Sequence, residues 1–320
     1  MVAPTKEMKS TLKGKHFLTL QDFTAEEILF LIEYALELKE KQQSGQSDSL
    51  LAGKTLGMIF EKSSTRTRVS FETGMFQFGG HAIFLSKDDI HLGKGETVAD
   101  TAKVLSRYLD GIMIRTFEHS IVEELAANAS IPIINGLTDD FHPCQVLADL
   151  VTIYEKKGSL ARNKLAFVGD GHNMANSLLF GCAIMGIDCA VAVPKGYEVQ
   201  DDIFQTAKQL AKQSGAVIEQ TNEPKAAVEN ADIIYTDVWT SMGCEEETED
   251  RLQAFSEFQV NEELVGYAKE DYLFFHCLPA VRGQEMTADI IDGPHSVVFD
   301  QAENRLHAQK AVLASVMNGN

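Results

Sequence analysis

The stretch LGMIFEKSSTRTRVSFETGMF, from Leu56 to Phe76, joins a short apolar run to a helical pattern through a polar turn. The run from Leu56 to Phe60 has the length and apolar content of a buried strand. Ser63 and Ser64 are residue types that cap helices, and the residues after them carry apolar side chains at helical intervals. The stretch therefore predicts a strand that passes directly into a helix.

Further apolar runs along the chain repeat this arrangement. Each run is short, ends in a polar cluster and is followed by a helical segment. The runs are Gly111–Ile114, Ile131–Asn135, Leu165–Val168, Cys189–Val193, Ala231–Tyr235 and Tyr272–Phe275. Short buried strands that alternate with helices indicate an α/β protein with parallel sheets.

The chain is long enough for more than one hydrophobic core. It has 320 residues, of which 44% are hydrophobic, and two domains are the expectation for that length. We place the boundary at the helical pattern between Leu147 and Arg162. The prediction is a first domain over residues 1–150 and a second over 151–303, with a helix over 304–320 that closes the chain.

The composition argues against several classes of partner. With 47 Asp and Glu against 28 Lys and Arg, the formal net charge is −19, and such a field repels nucleic acids and anionic membranes. No stretch approaches the roughly 18 apolar residues of a membrane span, and the polar amino-terminal sequence lacks a signal-peptide core. The five cysteines are scattered without CxxC spacing, which favours reduced thiols over disulfides or a zinc site. We expect a cytoplasmic protein that binds neither nucleic acid nor membrane.

Polar clusters follow most of the predicted strands. They are Ser63–Arg68, Arg115–Thr116, His142–Gln145, Asp170–Asn173, Asp237–Gly243 and His276–Pro279. Ligands of open α/β sheets bind outside the carboxyl ends of the strands. We therefore expect these clusters to face one cleft between two domains.

The cluster after the first strand has the chemistry of a phosphate site. The start of the helix offers backbone N–H groups and the positive end of the helix dipole, while Ser64, Thr65 and Thr67 add hydroxyls and Arg66 adds a guanidinium. The alternative is an ordinary capped helix with solvated arginines. The glycines of a GxxxxGK[ST] motif are missing, so the stretch does not fit the phosphate-binding loop of nucleoside triphosphatases.

The remaining clusters allow both functional and structural interpretations. Arg115 either binds a phosphate or polarised carbonyl, or forms a structural ion pair. His142 and Gln145 offer a donor for a carbonyl oxygen and an amide, although a His before Pro is also an ordinary loop residue. Asp237 either holds a substrate ammonium or caps a helix, and Asn173 is either a cap or a ligand contact.

Two other chemistries receive weaker support. For Cys277 no adjacent His and Asp arrangement follows from spacing, and His276 would point to the opposite face of the strand, so we prefer an orienting or packing role to a nucleophilic one. The turn VGDGHNM has part of a dinucleotide-binding pattern but not its third glycine, which leaves a nicotinamide-dependent oxidoreductase as a disfavoured alternative. The scattered His and Asp residues form no metal-binding signature.

The order of motifs along the chain resembles that of the carbamoyltransferase family. The motifs are FEKSSTRTR, MIRT, HPCQ, GDGHNM, DVWTSMG, HCLPA and FDQAENRLH, and the similarity runs from about residue 15 to the carboxyl terminus. STRTR and HPxQ resemble the family in general. DVWxSMG and HCLP resemble its ornithine branch rather than its aspartate branch.

The resemblance implies a fold and an activity. It implies two doubly wound α/β domains with parallel sheets, the first binding carbamoyl phosphate and the second L-ornithine, and a carboxyl-terminal helix that packs back on the first domain. The implied reaction transfers the carbamoyl group to the δ-amine of L-ornithine and yields L-citrulline and phosphate. It needs no metal or organic cofactor, and the implied assembly is a homotrimer or an assembly of trimers.

The resemblance also implies roles for single residues. The carbamoyl phosphate site would consist of Ser64, Thr65, Arg66, Thr67, His91, Arg115, His142, Gln145, Cys277, Leu278 and Arg305. Within it, the catalytic residues would be Arg115, His142, Cys277 and Arg305. The L-ornithine site would consist of Asn173, Asp237, Ser241 and Met242. The loop around His91 would reach into the site of a neighbouring subunit.

Other acceptors and a silent protein remain alternatives. Putrescine, N-acetylornithine or aspartate could replace L-ornithine, although Asp237 and the SMG motif favour a free α-amino acid, because putrescine has neither an α-amine nor a carboxylate. A catalytically silent scaffold is disfavoured, because nothing structural requires STRTR, HPCQ and HCLP together.

Overall fold

The computed structural model describes residues 11–46, 48–88, 90, 92, 95–240 and 248–318. The chain divides into two compact units. The first unit comprises Met1–Lys156 together with Glu303–Asn320, and the second comprises Lys157–Ala302.

The first unit is built on a parallel sheet with strand order β2-β1-β3-β4. Its strands are β1 Thr55–Phe60, β2 His81–Ser86, β3 Gly111–Arg115 and β4 Ile133–Leu137. Its helices before the second unit are α1 Ala25–Gln43, α2 Thr65–Gln77, α3 Val98–Leu105, α4 His119–Asn128 and α5 Pro143–Lys157, with a 3-10 turn at Leu20–Asp22. The strands pair in parallel, and helices connect them along the chain, as the sequence predicts for an α/β domain.

The second unit is built on a parallel sheet with strand order β7-β6-β5-β8-β9. Its strands are β5 Lys164–Val168, β6 Asp188–Ala192, β7 Ile218–Thr221, β8 Ile233–Thr236 and β9 Leu273–His276. Its described helices are α6 Asn173–Met185, α7 Asp201–Ser214, α8 Pro224–Val228, α9 Thr248–Ala254, α10 Glu262–Val265 and α11 Ala288–Ile291, with a 3-10 turn at Ser256–Phe258. The predicted class of two parallel-sheet α/β domains is confirmed.

The sequence missed two strands, and both lie at sheet edges. Each predicted apolar run overlaps an observed strand, with the fourth strand beginning two residues later than predicted, at Ile133. The missed strands, β2 and β7, each pair on one side only and are partly exposed along their length. An edge strand needs no continuous apolar run, and its sequence therefore resembles that of a loop or a helix.

The turn after β1 follows the predicted strand-to-helix design. Ser64 is the N-cap of α2, and its Oγ accepts a hydrogen bond from the Thr67 N–H at 3.2 Å. Since the cap satisfies one of the unpaired N–H groups of the first turn, the helix begins directly after the strand ends.

The carboxyl-terminal helix α12, Val298–Leu313, returns to the first unit. The buried Asn304 accepts a hydrogen bond from Lys39 Nζ at 3.0 Å and donates to Thr152 Oγ1 at 3.0 Å. These bonds tie α12 to α1 and α5, so the predicted packing of the last helix on the first domain is confirmed. In the part of the chain that the structure describes, no helix combines the length and apolar character needed to cross a bilayer.

Each sheet reverses its strand order at one place. In the first unit the chain moves outward from β1 to β2 and then continues on the other side with β3 and β4, and in the second unit the reversal lies between β5 and β8. Ligands of open parallel sheets bind at such switch points, outside the carboxyl ends of the strands. The polar clusters after β1, β3, β5 and β8 are at these points.

In the turn between β5 and α6, the need for Gly171 has a structural explanation that does not involve a dinucleotide. A Cβ on Gly171 would lie 2.4 Å from the Tyr197 carbonyl oxygen and 2.5 Å from the Val199 nitrogen. A Cβ on Gly169 would come no closer than 3.4 Å to any neighbour, the nearest being the Phe167 ring. Gly171 is thus required by the close approach of the neighbouring backbone, which occupies the space beside it.

We predict that Gly171→Ala lowers the free energy of unfolding by about 1–3 kcal/mol, because backbone atoms cannot move aside as a flexible side chain can. Gly169→Ala is the matched control, and we expect it to cost less than about 1 kcal/mol. Urea denaturation of the three proteins measures the difference. Equal stability of the two variants contradicts the interpretation.

Candidate functional site

The first cluster begins at the start of α2. Ser64 Oγ donates to Thr67 Oγ1 at 3.1 Å besides capping the helix, while Thr65 is exposed and Arg66 half-buried. Because the Ser64 side chain is engaged as the cap, its hydroxyl orders the turn and the first backbone N–H groups remain for a ligand. The arrangement is suited to an anion.

The two other basic residues of the quoted stretch have structural partners. The buried Lys62 forms an ion pair with the partly exposed Asp139, and its ammonium lies 4.3 Å from the centre of the Phe117 ring. Arg68 pairs with Glu72 at 2.9 Å and stacks over a ring of the edge strand. Only part of the basic cluster in the sequence therefore belongs to the anion site.

Arg305 joins the beginning, the middle and the end of the chain within the first unit. Its Nη1 donates to Gln145 Oε1 at 2.5 Å, and its Nη2 donates to Thr67 Oγ1 at 3.2 Å. Gln145 Nε2 in turn donates to Asp149 Oδ1 at 2.8 Å, and all four side chains are buried. The helix starts of α2 and α5 are thus held against α12 by charge-assisted hydrogen bonds.

His142 lies in the electrostatic centre of this cluster. Burial lowers its pKa well below the ordinary value of 6.5, and the guanidinium groups of Arg305, Arg115 and Arg66 lower it further. Its backbone carbonyl accepts from Gln145 N at 3.1 Å, where α5 begins. His142 is consequently a neutral imidazole at neutral pH, able to donate a hydrogen bond without carrying a charge.

The first cluster combines several fixed positive groups in a small space. Arg115 is the last residue of β3 and is 8% exposed, and Arg305 is 3% exposed. Positive groups held in a partly dehydrated site stabilise a dianion or a developing oxyanion far more than they would in water. Within the first unit, the structure brings together Thr67, Arg115, His142, Gln145 and Arg305, which sequence reasoning placed at the phosphate and carbonyl end of the site. Cys277 and Leu278 belong to the second unit.

The second cluster follows the carboxyl ends of β8 and β9. Asp237 Oδ1 accepts from Cys277 Sγ at 2.9 Å and from the Val238 N–H at 2.8 Å. Burial raises the pKa of Asp237, and the neighbouring His276, the Cys277 thiol and the Val238 N–H oppose that shift. A partly buried carboxylate held in this way is suited to a cationic ligand group.

The helix that carries Asn173 starts beside a second, partly buried carboxylate, that of Asp170. Asn173 is the first residue of α6, and its predecessor occupies the cap position without a side-chain cap bond. Arg251 forms an ion pair with Asp170 and donates from Nε to the Trp239 carbonyl at 2.6 Å. Arg251 therefore ties the end of β5 to the end of β8, the two strands whose ends carry Asn173 and Asp237.

Asp237, His276 and Cys277 are the residue types that bind metals, and one ligand atom of each lies within 4.8 Å of the others. These atoms already have hydrogen-bond partners. His276 Nε2 lies 3.1 Å from Glu285 Oε1, and His276 Nδ1 accepts from the Leu278 N–H at 2.9 Å. The cluster is therefore organised as a hydrogen-bond chain, and a metal would have to replace those bonds.

Some site residues lie outside the sequence predictions, and some predictions lie outside the described structure. Sequence reasoning did not identify Asp149, Glu285 or Arg251. Asp149 could have been found from its i,i+4 spacing to Gln145 on one helix face, whereas the contacts of Glu285 and Arg251 depend on chain folding. The predicted residues that lie outside the described residues are His91, Ser241 and Met242.

Two family models match the chain. The carbamoyl-P binding domain of aspartate/ornithine carbamoyltransferase matches residues 15–155, and the Asp/Orn binding domain of the same family matches residues 161–316. Ser64, Arg115 and His142 lie in the first match, and Asp237 and Cys277 in the second.

Similar proteins share nearly the whole length of the chain. A protein from Anoxybacillus flavithermus named ornithine carbamoyltransferase is 61% identical over 306 residues, which are 96% of this chain and 98% of the relative. A protein from Pyrococcus furiosus named as the anabolic ornithine carbamoyltransferase is 55% identical over 312 residues, 98% of this chain and 99% of the relative. The solved structure of ornithine carbamoyltransferase from Pyrococcus furiosus has a TM-score of 0.94 and 55% identity, covering 97% of this chain and 99% of that chain.

The lowered pKa of His142 predicts a specific pH dependence of stability. Below its ordinary pKa of 6.5, His142 takes up a proton in the unfolded chain but not in the folded one. The free energy of unfolding therefore falls as the pH drops from 6.5 toward the folded pKa, by at most about 1.4 kcal/mol per pH unit for this one group. We expect His142→Gln to make that acid slope shallower in denaturant titrations. An unchanged slope would show that His142 is not buried as a neutral imidazole.

Proposed function

Because the chain belongs to the aspartate/ornithine carbamoyltransferase family, we propose that its first unit binds carbamoyl phosphate and its second unit binds L-ornithine through the two clusters described above. The activity is transfer of the carbamoyl group of carbamoyl phosphate to the δ-amine of L-ornithine, which yields L-citrulline and phosphate. The observation that carries the residue assignment is the group of arginines around a neutral His142 at the switch point of the first sheet.

The phosphate group binds at the start of α2 in this proposal. The first backbone N–H groups of the helix and the hydroxyls of Thr65 and Thr67 donate to its oxygens, and Arg66 adds a charged donor. Ser64 joins them when its hydroxyl hydrogen turns from Thr67 Oγ1 to a phosphate oxygen. Support comes from the Ser64 cap, which orders this turn before any ligand binds. A turn that is ordered in advance loses less conformational entropy on binding.

Arg115, Arg305 and His142 act on the carbamoyl oxygen. The δ-nitrogen of ornithine attacks the carbamoyl carbon, negative charge grows on the carbonyl oxygen, and the bond from carbon to the phosphate oxygen breaks. Fixed guanidinium groups and a neutral imidazole donor stabilise that charge as it develops. The leaving phosphate can take the proton that the amine loses, so the reaction requires no protein base.

Gln145 contacts the carbamoyl amide in this proposal, and its orientation supports the role. Its Nε2 is engaged by Asp149 and its Oε1 already accepts one bond from Arg305. An amide oxygen has two lone pairs, so Oε1 can accept a second hydrogen bond from the carbamoyl NH2. Asp149 thereby determines which face of the Gln145 amide is offered to the substrate.

The second cluster recognises the amino acid. We assign the L-ornithine contacts to Asn173, Asp237, Ser241 and Met242, with Asp237 binding the α-ammonium. Cys277 and Leu278 line the position of the reacting amine. Cys277 donates its thiol hydrogen to Asp237, which suits an orienting group better than a nucleophile, because the nucleophilic form is the thiolate.

The alternatives from the sequence receive less support. A nicotinamide-dependent oxidoreductase would need Gly171 to admit a pyrophosphate, but the Tyr197–Val199 backbone already occupies the space beside that glycine. Putrescine has no α-ammonium for the partly buried Asp237 to bind. Its binding would desolvate this carboxylate further without supplying an opposite charge.

We also assign a homotrimer, or an assembly of trimers, to this enzyme, with the loop around His91 reaching a neighbouring subunit. Support comes from large apolar side chains of the first unit that are exposed in the single chain, including Val69 at 53% and Phe76 at 80%. Such exposure is typical of surfaces that a partner covers. Sedimentation analysis at several concentrations tests the assembly, and a stable monomer contradicts it.

The metabolic role and the location are parts of the same proposal. The Pyrococcus furiosus relative is named as the anabolic enzyme, and we propose arginine metabolism in the biosynthetic direction. The five scattered cysteines of the sequence favour a reducing compartment such as the cytoplasm. Fractionation of source cells followed by an activity assay tests the location.

The proposed acceptor is tested by measuring carbamoyl transfer from carbamoyl phosphate with the purified protein. We expect L-citrulline from L-ornithine, and at least about 100-fold lower kcat/KM with putrescine, N-acetylornithine or aspartate, because each lacks or changes groups that the buried polar contacts recognise. Activity with another amine alone would keep the phosphate site and overturn the role of Asp237. No transfer to any acceptor would overturn the function.

Single substitutions separate the two sites. We expect Arg66→Ala and Arg115→Ala each to lower activity by about 100-fold or more, with a raised KM for carbamoyl phosphate in the Arg66 variant. Near-normal turnover of either arginine variant contradicts the assignment.

Asp237→Asn should raise the KM for L-ornithine by at least about 10-fold. Burial raises the pKa of Asp237, so above the ordinary pKa of the group its ionised carboxylate opposes folding. The variant should therefore keep or raise Tm at neutral pH.

A further inference from the structure

Glu285 and His276 form a fully buried pair in the second unit that the proposed mechanism does not use. Both side chains are 0% exposed, and His276 Nε2 lies 3.1 Å from Glu285 Oε1. The same carboxylate oxygen accepts from the Val281 N–H at 2.7 Å. Burying a carboxylate is costly unless hydrogen bonds replace its water. His276 directly precedes Cys277 in the sequence. The cost of burying this pair beside a proposed site residue therefore suggests a functional role.

The hydrogen bonds determine which nitrogen of His276 carries the proton. His276 Nδ1 lies 2.9 Å from the Leu278 backbone nitrogen, which can only donate. Nδ1 must therefore be an unprotonated acceptor, and Nε2 must carry the hydrogen that is donated to Glu285. Only this tautomer satisfies both contacts at once, and the carboxylate of Glu285 favours it.

The ring of His276 in turn holds an unusual corner of the backbone. Leu278 has a φ of 57°, in the left-handed region that residues with a Cβ seldom adopt. Its N–H is the group bound by His276 Nδ1. Cys277 lies between these two residues and donates its thiol hydrogen to Asp237. The direction of the Cys277 side chain and the conformation of Leu278 thus depend on the His276 ring.

The backbone of His276 is held from the opposite side as well. Its N–H donates to Gln301 Oε1 at 3.0 Å, and Gln301 Nε2 donates to the Tyr235 hydroxyl at 3.0 Å. Because the backbone of His276 is anchored in this way, it stays in place when the hydrogen bonds of the His276 ring are lost. Loss of the Nδ1 contact should then release the Cys277–Leu278 corner rather than displace the whole of β9.

We propose that Glu285 and His276 are positioning residues for carbamoyl transfer: Glu285 selects the Nε2–H tautomer of His276, whose Nδ1 holds the Leu278 N–H and so directs Cys277 against Asp237. The proposal rests on the assignment of Cys277, Leu278 and Asp237 to the L-ornithine site. It deepens that assignment, because it attributes the geometry of the Cys277–Leu278 corner to the buried carboxylate of Glu285, eight residues after Cys277 in the sequence.

Two substitutions of His276 separate its two contacts. The amide of Asn reaches the place of Nδ1 and can accept from the Leu278 N–H, whereas the longer amide of Gln reaches the place of Nε2 and leaves that N–H without an acceptor. We expect kcat/KM for L-ornithine to be about 10-fold lower in His276→Gln than in His276→Asn, since an unsatisfied buried donor is costly. The KM for carbamoyl phosphate should be the same in both. Equal or higher L-ornithine kcat/KM in His276→Gln overturns the proposal.

Glu285→Ala has a matched control in Asp232→Ala. The carboxylate of Asp232 is also buried and also accepts a backbone N–H, that of Lys164, but at the amino ends of β5 and β8. Both variants should lower Tm, because each leaves a backbone donor without its acceptor. Only Glu285→Ala should raise the KM for L-ornithine or lower kcat, and Glu285→Gln, which keeps the acceptor oxygen, should restore most of the activity. The same kinetic change in both alanine variants overturns the proposal.

A measurement on the unaltered protein decides the tautomer even where a variant fails to fold. In protein labelled with ¹⁵N in the histidine rings, NMR should show a protonated Nε2 and an unprotonated Nδ1 for His276 in the buffer of the activity assay. A proton on Nδ1 overturns the proposal. If the wild-type protein transferred no carbamoyl group to L-ornithine, the proposed function would fail, and the NMR result would still stand on its own.

Discussion

The first site depends on burying the guanidinium group of Arg305. This cation, 3% exposed, donates to Thr67 and Gln145, which lie 238 and 160 residues away in sequence. A buried charge is tolerated only when its hydrogen bonds are satisfied, so the last helix, the start of α2 and the start of α5 must come together. The same charge helps to keep His142 neutral. The cation that holds the unit together therefore also sets the protonation state of its proposed catalytic donor.

The second unit uses a buried anion in the corresponding way. Asp237 remains in a partly dehydrated place because a thiol and a backbone N–H donate to it, and the Cys277 that supplies the thiol lies in a corner held by His276. The two units thus place opposite charges at the switch points of similar sheets. In the proposed function, carbamoyl phosphate and the ammonium group of L-ornithine carry the complementary charges, and the same architectural position would serve two kinds of ligand.

The sequence predicted best where a single stretch of chain contains its own evidence. The strand ending at Phe60, the Ser64 cap and the helix after it are local, and all three were recognisable. The strands β2 and β7 were missed because edge strands lack a continuous apolar run. Lys62 and Arg68 flank the anion site in sequence, but Asp139 and Glu72 pair with them, and the Asp139 contact joins residues 77 positions apart.

The class of the fold, the places of the polar clusters and the family could all be predicted from the amino-acid sequence, because strand periodicity, helix caps and motif order are properties of short segments. How the side chains are used became visible in the folded chain: Arg305 joins Thr67 to Gln145, Arg251 links Asp170 to the Trp239 carbonyl, and Glu285 is hydrogen-bonded to His276. Hydrogen bonds and desolvation depend on distances of a few ångströms between segments that are remote along the chain. No local pattern encodes those distances, and they exist only once both sheets have formed.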